Sequence, residues 1–280
     1  MRAPFAYYGG KMGMAKLIVS LMPEHRVYIE PFFGSGAVFF AKPPVMHEIV
    51  NDLDDAVVAF FRVLRDRPDD LERACALTPH ARAEYESADL ETKEIDDLER
   101  ARRFWVRVNQ SFGKAINTTG WTATTSRNGS VTSTTMSRLG RFAPCAERLA
   151  GTMVERCDAA DLVTRLATPD AVVYVDPPYP HEARRSNRRC AAYADYRCDS
   201  TPELHERLAD SLNATEATVI LSGYPCDQYD RLYADWWTLD IAVTAHSSNA
   251  RNSSRGGRTE RIWSNRDLLD VSKQLELAIA

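Results

Sequence analysis

Apolar residues recur at helical spacing over Met14, Leu17, Ile18, Leu21 and Met22, a stripe that Pro23 closes. The period then changes. Val27-Tyr28-Ile29-Glu30 reads as a short buried strand, and it runs straight into Pro31-Phe32-Phe33-Gly34-Ser35-Gly36. A helix is expected from Ser35 and a second strand at Glu48-Ile49-Val50. A second helix is expected from Asp54 to Leu64, with Val57, Val58, Phe60, Phe61 and Leu64 carrying its apolar pattern. Further strands are expected at Thr152 to Arg156, Ala171 to Val175 and Thr218 to Leu221. Among the helical patterns between them is Pro202 to Leu212, which Thr201 can cap and where proline suits the first turn. Trp237 to Ala245 and Arg261 to Ser264 read as an antiparallel pair at one edge. Alternation of this kind predicts an α/β fold, a mostly parallel sheet with helices on both faces.

Between about Phe61 and Gly151 the rhythm turns to charged helices, one with Ile95, Leu98, Trp105 and Val108 on a face, followed by a Ser/Thr/Gly-rich stretch from Asn117 to Ser137. The division expected is a catalytic domain over 1-60 and 152-280, with residues 61-151 as an inserted, mainly helical domain. Within the insert, Asn128-Gly129 separates two threonine-rich runs between Trp121 and Thr135, which predicts a β-hairpin; a flexible polar linker is the alternative.

Composition narrows the classes. A chain of 280 residues that is 44% hydrophobic can build a sizeable core. No run approaches the roughly 18 apolar residues of a membrane span, and MRAPFAYYGGK lacks a secretory signal's apolar core, so a cytoplasmic location is expected. The six cysteines are scattered, with no C-x-x-C pair, and are read as free thiols. A net charge of −4 argues against a protein that coats nucleic acid. Arginines nevertheless cluster at Arg100, Arg102, Arg103 and Arg107, at Arg184, Arg185, Arg188 and Arg189, and at Arg251, Arg255, Arg258 and Arg261. Any one cluster alone is a solvated face; three near candidate functional loops suggest phosphate contacts.

The chemistry-bearing motifs sit where strands end. The glycines of Glu30 to Gly36 let backbone approach a ligand where a side chain would intrude. Asp52, at the end of the second strand and 22 residues beyond Glu30, lies where a nucleotide-binding α/β fold puts a carboxylate against ribose hydroxyls. A helix cap is the plainer use of such an acid. Phe39 stands where a dinucleotide fingerprint needs its third glycine, so a cofactor other than NAD is favoured. Asp176-Pro177-Pro178-Tyr179 follows the strand from Ala171 to Val175, at the carboxyl edge where open sheets bind ligands. Two prolines fix that backbone. A carboxylate faces the crevice, a carbonyl beyond it lacks a ladder partner, and an aromatic ring can stack on a base. Two acceptors aimed at an exocyclic amine favour a more tetrahedral nitrogen, able to attack a sulfonium methyl in line without a strong base.

The sequence resembles the Dam-type DNA adenine methyltransferases. Tyr7-Tyr8-Gly9-Gly10-Lys11 matches the segment that precedes the glycine loop in that family, Glu30 to Gly36 matches the loop, Asp52 the acid, and Asp176 to Tyr179 the D-P-P-Y motif. The order of glycine loop, recognition domain and D-P-P-Y is the family's alpha arrangement, and Arg258 to Asn265 resembles a family terminal strand. The resemblance implies a Rossmann-like S-adenosylmethionine-dependent methyltransferase. It would act on the N6 amine of an adenine flipped from double-stranded DNA, with residues 61-151 as the recognition domain. It implies that Tyr7, Lys11, Pro31, Phe32, Gly34, Gly36, Asp52 and Asp176 line the cofactor site, with Asp158 a further contact or a helix cap. Asp176, Pro177 and Tyr179 would be catalytic, Tyr179 stacking on the adenine. Tyr7 departs from the commoner tryptophan. Alternatives of the same fold are amino-cytosine or RNA base methylation and a catalytically silent nucleic-acid-binding relative. No metal site is expected, His181 reads as a polar loop residue, and the expected state is a monomer or weak dimer.

Overall fold

The computed structural model describes residues 1–7, 9–111, 120–123, 131–180, 200–243 and 258–268. Its centre is a seven-stranded sheet in the order β3-β2-β1-β4-β5-β7-β6. The strands are β1 (Val27–Glu30), β2 (His47–Asn51), β3 (Met153–Glu155), β4 (Ala171–Val175), β5 (Thr218–Gly223), β6 (Trp237–Val243) and β7 (Arg258–Ser264). The first five are mutually parallel. β7 runs antiparallel to β5 and to β6, which forms the outer edge.

Side chains of the central strands alternate between two apolar layers, so the strands read as unbroken hydrophobic runs. Tyr28, Val172, Tyr174, Ile220 and Ile262 face one layer; Ile29, Val173, Val175, Val219, Leu221 and Trp263 face the other. The first layer is closed by α1 (Ala15–Ser20), α2 (Ala37–Ala41), α3 (Asp55–Asp66), α6 (Asp97–Gln110) and α8 (Phe142–Leu149). The second is closed by α9 (Ala159–Leu166), α10 (Pro202–Ala214) and α11 (Asp227–Leu232). Thr201 caps α10 through Leu204 N and Asp54 caps α3 through Ala56 N, as their side-chain chemistry dictates. α2 begins at Ala37, two residues past the expected start, because Gly36 takes a left-handed φ of 66°.

The boundary expected between 60 and 61 falls inside α3. That helix, α4 (Pro68–Leu77), α5 (Arg82–Ser87), α6, α7 (Val131–Leu139) and α8 account for the helical segment. Its aromatic residues join the first layer: Phe60 meets Phe104 at 5.4 Å and Phe142 at 5.7 Å, and Trp105 meets Phe142 at 4.9 Å. The expected hairpin is corrected at its second arm. Residues 131–135 open helix α7, where Leu139 enters the core and Arg138 reaches Asn109 on α6, and this packing overrides threonine's preference for strands. Trp121 instead makes a single antiparallel bridge with Ser111, and Thr122 N donates to Gln110 O at 2.8 Å. The Asn128-Gly129 turn, Tyr8, Cys190, Cys198, His181 and the arginines at 184, 185, 188, 189, 251 and 255 lie outside the described residues. Cys75, Cys145, Cys157 and Cys226 are free thiols. Among the described residues no helix is long and apolar enough to cross a membrane.

Candidate active site

The strand order reverses beside β1, which connects outward to β2 on one side and lies against β4 on the other. At such a switch point the loops leaving two neighbouring carboxyl ends part and open a crevice. Here these are the turn after Glu30 and the turn after Val175, and a cavity of about 260 Å³ lies between them. Tyr7, Lys11, Pro31, Phe32, Gly34, Asp52, Asp158 and Asp176 line it. Gly36, Pro177 and Tyr179 do not line it.

The glycine loop is pinned to the end of β2. Gly34 N donates to Asp52 Oδ2 at 2.8 Å and Asp54 N to Asp52 Oδ1 at 3.0 Å. Burial pushes the Asp52 carboxyl up to about 7, with the Asp54 N–H opposing that rise. Asn51 ties three segments together: its Nδ2 donates to the carbonyls of Pro31 and Cys157, and its Oδ1 accepts from Cys157 N at 2.9 Å. The ring of Tyr7 covers Gly34, whose added Cβ would sit 3.4 Å from it, and on its far side packs on Phe104 of α6 at 6.3 Å. Gly36 answers to different neighbours. A Cβ there would lie 2.6 Å from Phe33 and 2.9 Å from Phe40, so its missing side chain accommodates internal packing, not the cavity. Asp158 caps α9 through Ala160 N at 2.9 Å while also facing the cavity, where Arg207 meets it at 3.3 Å.

Asp176 ends β4 within a cluster of buried charge. Lys11 Nζ donates to Asp176 Oδ1 at 2.7 Å and to the Tyr179 hydroxyl, and lies 3.6 Å from Glu260 Oε2 of β7. Ser222 Oγ also donates to Asp176 Oδ1, at 3.2 Å, and itself accepts from the Tyr174 hydroxyl at 2.9 Å. Among the described residues Oδ2 has no hydrogen-bond donor, so one carboxylate oxygen is anchored and the other is left for a ligand. Burial works against charge on Lys11, but Asp176, the Tyr174 hydroxyl and Glu260 outweigh it and hold its pKa above the ordinary lysine value. Burial raises the Asp176 pKa, with Lys11 opposing. Glu30, which sits at the cavity floor and accepts from the Tyr28 hydroxyl at 2.7 Å, is pushed up to about 8 by burial.

Tyr179 is 8% exposed, with its ring 4.8 Å from that of Tyr224 and tilted 57° to it. A base stacking on it requires the ring to open from that contact. The residues that sequence reasoning passed over are Tyr174, Ser222, Glu260 and Glu30. Tyr174, Ser222 and Glu30 are polar or charged side chains within or ending apolar strands, and that is the signal that marks them; Glu260 stands among polar residues of β7 and carries no such signal.

The arginines of α6 are committed internally. Arg102 pairs with Glu99 at 2.7 Å and Glu84 at 3.0 Å, Arg103 with Glu99 at 2.8 Å, and Arg100 with Asp55 at 3.6 Å. Arg138 and Arg141, by contrast, have no carboxylate partner among the described residues; they contact Asn109 and the Ala3 carbonyl.

Residues 7–249 match the family model of the D12 class N6 adenine-specific DNA methyltransferases. The Type II methyltransferase M1.LlaDCHI of Lactococcus lactis subsp. cremoris is 26% identical over 278 residues, 94% of this chain and 95% of that protein. The DNA N-6-adenine-methyltransferase of Escherichia phage P1 is 34% identical over 64 residues, 23% of this chain and 8% of the phage protein.

Proposed function

The chain belongs to the D12 class N6 adenine-specific DNA methyltransferase family and methylates adenine in DNA; from that premise we propose that S-adenosylmethionine is the donor and that the adenine is turned out of the duplex. The observation that carries this reading is Asp176 at the crevice, with Oδ1 fixed by Lys11 and Ser222 and Oδ2 open to a ligand. Oδ2 accepts one hydrogen of the target amine, and the carbonyl of Pro177 accepts the other. Holding both hydrogens leaves the nitrogen lone pair out of the ring plane and aimed into the cavity. Burial raises the Asp176 pKa and the adjacent Lys11 ammonium opposes that rise, favouring the anion that serves as acceptor. An amine inside paired DNA cannot reach an acceptor at the floor of a crevice, which is the reason for base flipping.

The residues present fit the cofactor. The Gly34 turn and the apolar walls of Phe32, Leu53 and Leu204 suit a nucleoside, and the Asp52 carboxylate, which accepts from the backbone of Gly34, Leu53 and Asp54, keeps acceptor capacity for a ribose hydroxyl. Asp158 and Arg207 sit at the adenine end of this reading. When bound, S-adenosylmethionine supplies an electrophilic sulfonium methyl. Tyr7, Lys11 and Pro31 wall the cavity around it, and Gly36 acts through the packing of the loop.

Residues 61-151 are assigned to recognition of the duplex, as a set of helices built onto the sheet's core, and Tyr179 to stacking on the flipped base. The partner is double-stranded DNA, bound by a cytoplasmic monomer or weak dimer. The likeness to a Type II methyltransferase supports a modification role beside a restriction enzyme. The test is to incubate the protein with duplex DNA and methyl-labelled S-adenosylmethionine and separate the nucleosides. Label in N6-methyladenine is expected; label confined to cytosine, or none, overturns the reading.

A further inference from the structure

Beside the Asp176 turn, and outside the lining of the cavity, lies a run of buried polar side chains that the proposed mechanism does not use. Ser200, His205 and Tyr229 are 3%, 0% and 0% exposed. Ser200 Oγ sits 2.9 Å from the carbonyl of Pro178 and 3.0 Å from that of Tyr179. It also lies 2.9 Å from His205 Nε2, and His205 Nδ1 lies 3.2 Å from the Tyr229 hydroxyl. Ser200 immediately precedes the Thr201 cap of α10, His205 is in that helix, and Tyr229 is in α11. Buried polar atoms are kept only where each finds a partner, and here the partners join two helices to the catalytic turn.

Donor counting gives the chain a direction. A serine hydroxyl has one proton, and carbonyl oxygens have none to offer. If that proton went to His205, two carbonyl oxygens would face the hydroxyl oxygen with nothing between them. The proton therefore lies toward the carbonyls, and His205 Nε2 carries the hydrogen that Ser200 accepts. In the neutral ring Nδ1 is then the acceptor, and the Tyr229 hydroxyl donates to it. The polarity runs from Tyr229 through His205 and Ser200 to the backbone of Pro178 and Tyr179.

We propose that Tyr229, His205 and Ser200 form a one-way hydrogen-bond relay that sets the backbone of the Asp176–Tyr179 turn, making all three positioning residues for methyl transfer. The relay rests on the reading that this turn presents the acceptors for the amine. By occupying the Pro178 and Tyr179 carbonyls it orients the peptide planes on either side. That leaves the Pro177 carbonyl as the acceptor turned toward substrate. It also ties the turn to the residue that precedes the cap of α10.

Single-turnover methyl transfer to genomic DNA free of N6-methyladenine tests this on the full chain, with cofactor and DNA affinities and thermal midpoints measured beside it. Ser200→Ala is expected to slow transfer about tenfold or more through misplaced acceptors, with both affinities unchanged. Tyr229→Phe is expected to slow it less, and the double variant no further than Ser200→Ala, because the residues act in series. His205→Gln, which keeps an N–H toward Ser200, should retain more of the rate than His205→Leu. Wild-type transfer in Ser200→Ala, additive losses in the double variant, or equal rates in the two His205 variants overturns the relay. Asp176→Asn is run alongside: if it transfers normally, the reading of the turn itself has failed, whereas a dead Asp176→Asn beside a normal Ser200→Ala removes the relay alone.

Discussion

Replacing Gly36 by alanine separates two explanations for the second glycine of the loop. A residue there for backbone approach to a cofactor loses cofactor affinity when substituted; one there for the fold loses stability without any cofactor. Gly36 has φ 66°, and left-handed backbone costs an L-residue about 1–2 kcal/mol. The added Cβ would also lie 2.6 Å from Phe33, 4% exposed, and 2.9 Å from Phe40, 1% exposed; Phe40 is enclosed, and Phe33 could yield only toward the cavity it lines. Overpacking of this kind costs about 1–3 kcal/mol, which brings the total to about 2–5 kcal/mol. Urea unfolding of the cofactor-free protein reads this as a lower midpoint at unchanged slope. Gly34→Ala is the control: its φ is 49°, but its Cβ meets Tyr7 at 3.4 Å, an ordinary contact, so only the backbone cost of about 1–2 kcal/mol applies. A Gly36→Ala protein within about 0.5 kcal/mol of the parent refutes the packing argument.

Glu30, raised to about 8 from 4.5, is protonated in the fold and ionised in the unfolded chain between those values, so its contribution is complete below pH 4.5 and lost as pH rises through 8. At about 1.4 kcal/mol per unit, up to about 5 kcal/mol of cofactor-free stability depends on this proton, and Glu30→Gln should flatten that fall in a urea series across pH; an unchanged slope counts against the protonated Glu30. Asp52, raised to about 7, leaves a residual slope of the same sign in the variant. Arg138→Ala should reduce the dependence of log DNA affinity on log salt by about one unit, whereas Arg102→Ala, whose partners are Glu99 and Glu84, should leave it unchanged; equal slopes in both variants would reject the distinction.

The sheet was legible because parallel strands buried on both faces leave unbroken apolar runs, as at Ala171 to Val175, and because Thr201-Pro202 and Asp54 carry capping chemistry in their own sequence. The glycine turn, Asp52 and Asp176 followed from position, since strand ends at a switch point meet, whereas Tyr7 and Lys11, which precede α1, were expected only from the family resemblance. What local pattern could not supply was partnership. The Arg100 to Arg107 cluster looked open to phosphate, but Glu84, Asp55 and Glu99, set by the packing of α3, α5 and α6, claim three of its four members. Threonine-rich residues 131–135 looked like a strand, and a core contact at Leu139 makes them helix. Gly36 read as a ligand contact because the two aromatic rings that exclude a side chain there are apparent only once α2 is formed. His205 sits on the buried stripe of α10 with Leu208 and Leu212, and only its three-dimensional neighbours turn a core histidine into part of a network.

The central claim is that Asp176 holds the target amine through its unanchored oxygen. Its most direct test is the single-turnover rate of N6-methyladenine formation by Asp176→Asn, measured with saturating S-adenosylmethionine and duplex DNA. Asparagine keeps the size of the side chain but replaces one acceptor oxygen by a donor, so the rate is expected to fall about a hundredfold or more while cofactor affinity changes little. A variant that forms N6-methyladenine at the parent rate would contradict the account.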